Sequence, residues 1–139
     1  ISQVYNALQT GLIDGVITGS STLSDFKLDE VAASVTQGAP LGRLSFYAVM
    51  SEAAYNGLSD SERAAVDAAS GYELSRSAEV AWNATAEAAL AAAAASGENT
   101  MVQLTDAEAA AFTDVLANVL NAYVSDVGGA ATMAAMNGN

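Results

Sequence analysis

Thr18-Gly19-Ser20-Ser21-Thr22 gathers four hydroxyls into one short stretch. Hydroxyls and free backbone N–H groups at a strand end and helix start can hold a carboxylate, so Thr18, Ser20 and Ser21 are candidate ligand contacts. Arg43, the only basic residue on a predicted strand, is a fourth candidate, since its guanidinium can pair with an anion bidentately. Each has a plainer role beside it: Ser and Thr cap turns, and an Arg on an acidic protein neutralises its neighbours. Tyr5, Phe46, Tyr47 and Trp82 read as packing residues, not as stacking platforms. Asp14 reads as a turn residue that satisfies backbone donors.

The remaining inventory excludes more than it offers. The chain has no His and no Cys. That removes the commonest general base, the thiolate nucleophile and the imidazole and thiolate metal ligands. No paired-carboxylate signature replaces them, so no catalytic residue, metal or cofactor is assigned and an enzyme is not expected. Four Lys and Arg stand against sixteen Asp and Glu, a net charge of -12. Phosphate neutralisation needs basic clusters, so no nucleic acid is expected, and anionic lipid would repel this surface. The apolar run Ala86 to Ala95 contains Glu87 and is about half the roughly 20 residues of a membrane span. It reads as a helix interior.

The elements that would position these residues alternate in type. Gln3 to Gln9 reads as the last turns of a helix stopped at Gly11, and Leu12 to Thr18 (LIDGVIT) as a strand rich in Ile and Val. Thr22 to Glu30 suits a short helix with Thr22 as N-cap, and Val31 to Thr36 reads as a second strand. Leu44 to Met50 (LSFYAVM) is nearly continuously apolar, which predicts a strand buried on both faces. Ser59 to Glu62 has the capping-box form, and from there to about Ala95 almost every residue favours helix, with Gly71 the weak point. Such a helix approaches about 50 Å, at about 1.5 Å per residue, longer than one small lobe.

Met101 to Leu104 reads as a short strand, and Thr105 to Glu108 as a second capping box. The helix after it spaces Phe112, Val115, Leu116, Val119, Leu120 and Tyr123 as a buried stripe. Gly128-Gly129 ends that helix. The class is α/β. Four short, unevenly spaced strands do not close a sheet, so further strands are expected from another segment or another chain.

The run Val4-Tyr5-Asn6-Ala7-Leu8-Gln9-Thr10-Gly11-Leu12-Ile13-Asp14-Gly15 resembles the V-Y-x-A-L-Q-x-G-x-x-D-G signature of TRAP transporter solute-binding proteins, the DctP family. The resemblance continues through Phe26 to Val31, Pro40 to Phe46 and the LSDSERAAV opening of the long helix, and weakens after about Val124. It implies the C-terminal part of a two-lobe periplasmic-binding-protein-like fold with a long lobe-bridging helix. Residues 1–43 would belong to lobe II, 44–83 to lobe I and 84–139 again to lobe II, with the N-terminal half absent.

The function implied is an extracytoplasmic, periplasmic receptor that captures a small organic acid by lobe closure and delivers it to membrane permease subunits. Thr18 occupies the strand-end place where the family sets a polar ligand contact. Ile1 and Gln3 stand where the family commonly carries an aromatic residue and a Glu, and the family's carboxylate-binding Arg lies upstream of this segment. The isolated chain is therefore expected to bind the acid poorly without the N-terminal half. A companion N-terminal chain or self-association, including a swapped dimer, is expected to cover its sheet edges. The alternative is an independent acidic helical self-association module.

Overall fold

The computed structural model describes residues 1–42 and 44–136 of the 139. They divide into two units, Ile1–Ala33 with Leu44–Thr100, and Ser34–Arg43 with Met101–Asn139.

The first unit opens with α1 (Val4–Gln9). Gly11, at a positive φ of 69°, turns the chain out of the helix, and the N–H groups of Leu12 and Ile13 both donate to the Ala7 carbonyl. Thr22–Asp25 forms α2. The helix foreseen to Glu30 stops there, because Lys27 adopts a left-handed φ of 54° and the chain resumes as a 3₁₀ turn over Leu28–Glu30. Ser21, not Thr22, is the N-cap residue of α2; the Thr22 hydroxyl turns back instead to the Gly19 carbonyl at 2.7 Å.

Glu52–Asn56 forms α3, with Ala54 N–H donating to the Ser51 hydroxyl. The foreseen long helix is two, α4 (Asp60–Ala69) and α5 (Tyr72–Ser96). Its break lies at Gly71, whose φ of 81° and ψ of -146° are open almost only to glycine. At 25 residues α5 runs about 37 Å. The capping box at α4 is formed as read: Ser59 Oγ accepts from Glu62 N–H, and Glu62 accepts the Ser59 N–H at 2.8 Å.

The buried side of this unit is small. Leu23 on α2, Leu28 in the 3₁₀ turn, and Ala89 and Ala93 on α5 are its buried apolar residues. The two alanines are one helical turn apart and lie on one face, and α2 packs against both α5 and the 3₁₀ turn. Asn99, just past α5, ties the layers covalently distant in sequence: its Nδ2 donates to the carbonyls of Asp29 at 2.9 Å and Ala32 at 2.6 Å.

The second unit contains β1 (Ser34–Gln37), most of β2 (Thr100–Gln103), α6 (Asp106–Asp126) and α7 (Ala130–Met136). The strands pair in parallel: Thr100 N–H donates to Ala33 O at 2.9 Å and, four residues on in both strands, Leu104 N–H donates to Gln37 O at 3.0 Å. The capping box of α6 forms between Thr105 and Glu108, and α7 packs on α6.

Two apolar faces foreseen as buried, 44–50 and the α6 stripe, are open to solvent, and so is most of the segment foreseen as a strand at 12–18. Leu12 to Thr18, foreseen as a strand, is irregular, with bends at Leu12 and Asp14; it joins no ladder among the described residues, and Ile17 is 80% exposed. Leu44 to Met50 likewise forms no regular element and joins no ladder, with Tyr47 and Val49 more than 80% exposed. On α6, Phe112, Val115, Val119, Leu120 and Tyr123 face water. The sequence pattern was that of buried elements; among the described residues no neighbour covers them. The total accessible surface states the same fact as an area. It is 10444 Å², against about 8,000 Å² for two separate compact bodies of these sizes.

Candidate ligand-binding site

The hydroxyl cluster is built by the end of the irregular segment after α1 and the entry to α2. Carbonyls at Gly19, Ser20 and Ser21 accept the N–H groups of Thr22, Leu23 and Ser24 at 3.1 Å each, so the turn is closed by its own backbone. Ser24 Oγ also donates to the Ser21 carbonyl at 3.2 Å. The structure separates the candidates by exposure: Thr18 is exposed, Ser20 half-buried and Ser21 buried. Arg43 lies outside the described residues.

Ser21 is buried because α2 lies against α5. It lines an open groove of about 360 Å³ together with Asp25, Ala78, Ala81, Trp82 and Thr85. A second groove of about 440 Å³ continues along α5 between Ser24 and the small residues Ala84, Ala88, Ala89 and Ala92. The alanine face permits the close approach of α2; it is a packing feature. Trp82 stacks on Phe46 with centroids 4.6 Å apart and planes at 27°, so these two aromatics pack as read from the sequence. Tyr47 does not; it stands almost fully in water.

Several polar contacts were not legible beforehand. The Tyr5 hydroxyl donates to Glu30 at 3.0 Å, and the Tyr55 hydroxyl donates to both oxygens of Asp67 at 2.8 and 2.9 Å. These bonds, then desolvation, raise both phenol pKa values. Glu62 is held below its ordinary value first by the Ser59 hydroxyl and then by the Ser59 N–H; Glu108 is held down first by the Thr105 N–H and then by its hydroxyl. None of these groups adjoins the Thr18 turn in sequence, and each has a structural partner. The perturbed groups therefore mark helix caps and ties.

Comparison with family models supplies the class. The model described as bacterial extracellular solute-binding protein, family 7 (DctP), matches residues 1–126, and the chain belongs to this family. Its members are non-enzymatic binding proteins of TRAP transporters that act outside the cytoplasm and work with membrane permease subunits. Comparison with curated proteins and with solved structures found no match. Among the described residues no helix is long and apolar enough to cross a membrane.

Proposed function

We propose that this chain is part of a periplasmic receptor that captures a small organic acid and delivers it to the permease subunits of a TRAP-type secondary transporter. The observation that carries the reading is the family match over residues 1–126. It is supported by the exposed Thr18, which lies beside the Ser20-Ser21 turn ahead of α2. In this reading Thr18, Ser20 and Arg43 donate to the solute, Arg43 to its carboxylate. Ser21 reaches it only from the groove beside α5. Residues 1–43 and 84–139 belong to lobe II and residues 44–83 to lobe I, with α5 crossing between them. Solute groups that bridge the lobes stabilise the closed state relative to the open one, which is how binding drives closure.

The segments 12–18 and 44–50 are, in the same reading, strands of lobe sheets completed by another segment or another chain. The parallel pairing of β1 and β2 speaks against a purely helical acidic module. The test is a thermal-shift screen of the complete receptor polypeptide against short mono- and dicarboxylates. A ligand at about 100 times its Kd stabilises the folded state by about 2.7 kcal/mol. At least one acid is expected to raise Tm by several degrees, and a flat screen across the acids with a positive response to a sugar or cation refutes the solute class.

A further inference from the structure

We propose that Tyr5 is a positioning residue for the Thr18 turn: through its bond to Glu30 it closes residues 5–30 into a loop and fixes that turn against the packed part of the first unit. The functional meaning of this tie rests on the reading of Thr18 as a solute contact, whereas the tie itself does not.

Glu30 stands on a fixed platform. Leu28, two residues before it, is the most deeply buried large side chain, and the Asn99 amide holds the flanking carbonyls of Asp29 and Ala32. The Glu30 carboxylate is met from two sides: Oε2 accepts the Tyr5 hydroxyl at 3.0 Å, and Lys27 Nζ lies 3.6 Å from Oε1. Lys27 supplies a second observation. Glycines aside, it alone among the described residues has a positive φ, at φ 54° and ψ 35°. A side chain disfavours that conformation, which persists where the surroundings enforce it. Here it ends α2 and starts the 3₁₀ turn that presents Glu30 to α1.

The upstream end of the loop needs such a tie. α1 has six residues and no buried side chain, and a helix this short is marginal in water on its own. Its exit is closed only locally, by the Leu12 and Ile13 N–H groups on the Ala7 carbonyl. Among the described residues, the Tyr5 hydroxyl makes the one hydrogen bond from residues 1–18 to any residue beyond them. The place of Thr18 is therefore set by α1 upstream and α2 downstream, and Tyr5 with Glu30 fixes these two relative to one another. Both partners lie within residues 5–30, so the tie stands whatever lies beside segment 12–18.

The experiment uses the complete receptor polypeptide and its Tyr5→Phe, Glu30→Ala and Glu30→Gln variants. Tyr5→Phe removes only the hydroxyl of an exposed bond, and Glu30→Gln keeps an acceptor oxygen in place. Amide exchange read by mass spectrometry is expected to quicken about threefold at residues 10–13 in Tyr5→Phe and Glu30→Ala, to stay unchanged in α6, and to lie near the parent rate in Glu30→Gln. Calorimetry with acetate and succinate as mono- and dicarboxylate probes is expected to show Kd raised about threefold by Tyr5→Phe, while the urea midpoint moves by less than about 0.3 M. Unchanged exchange at 10–13 in Tyr5→Phe, acceleration spread over the whole chain, Glu30→Gln as damaging as Glu30→Ala, or an unchanged Kd for a bound probe each overturns the proposal. If neither probe binds the parent while exchange responds as expected, the solute reading fails and the tie stands.

Discussion

Asn99→Ala is the sharpest test of what holds the first unit together. Asn99 is 8% exposed, and its two amide hydrogens satisfy the carbonyls of Asp29 and Ala32, 70 and 67 residues away in sequence. Removing the side chain deletes both bonds and leaves two part-buried acceptors to find water. At about 1 kcal/mol net for each bond the loss is about 2 kcal/mol. With a urea m-value of about 2 kcal/mol/M for a domain of this size, the unfolding midpoint should fall by about 1 M. The assay is urea unfolding followed by circular dichroism at 222 nm.

Asn83→Ala is the matched control. Asn83 also donates through Nδ2, but to the exposed Glu79 one turn back on α5, at 3.1 Å. Such a helix-surface pair contributes about 0.2 to 0.5 kcal/mol, and Ala regains most of that in helix propensity. The control midpoint should therefore move by less than about 0.3 M. Equal shifts in the two variants, or a shift below about 0.3 M for Asn99→Ala, would refute the reasoning that a long-range side-chain tie, and not helix propensity, fixes residues 28–32 against the end of α5.

Leu28→Ala removes the most deeply buried large side chain; a loss of about 2 to 4 kcal/mol is expected in the same urea assay, and a loss below about 1 kcal/mol would mean the site collapses freely. Thr105→Ala deletes the α6 cap, so about 1 kcal/mol should be lost, with faster amide exchange in the first turn of α6 as the local signature. Glu62 and Glu108 have folded pKa values below the ordinary 4.5. Their contribution is therefore complete above that value and disappears as pH falls through the depressed folded value. The difference in midpoint between the chain and its Glu62→Gln, Glu108→Gln variant should shrink from pH 7 to pH 3. A constant difference would show that the carboxylates do not act as charged acceptors.

Local chemistry was legible from the sequence where it is self-contained. Both capping boxes, the turn at Gly11 and the strand at β2 depend on residues within a few positions of one another, and the structure has them where the pattern puts them. Gly71 was visible as the weak point of a helical tract, but not as its break; that depends on the chain adopting a positive φ there, which composition does not specify. The Asn99 tie was invisible because both acceptors are backbone carbonyls more than sixty residues away.

The apolar faces illustrate a different limit. Hydrophobic pattern reports that 44–50 and the α6 stripe are suited to burial, yet burial also needs a neighbour, and none covers them among the described residues. At the hydroxyl turn, Thr18, Ser20 and Ser21 look alike in sequence. Only the packing of α2 on α5 distinguishes the buried Ser21 from the exposed Thr18.

The most direct test of solute capture is isothermal titration calorimetry of the complete receptor polypeptide with its best short carboxylate, beside the Thr18→Ala variant. The account predicts saturable one-to-one binding, weakened about tenfold by loss of one hydroxyl donor worth about 1.4 kcal/mol. Binding of the acid with the same Kd in both proteins, or no heat with any carboxylate, would contradict it.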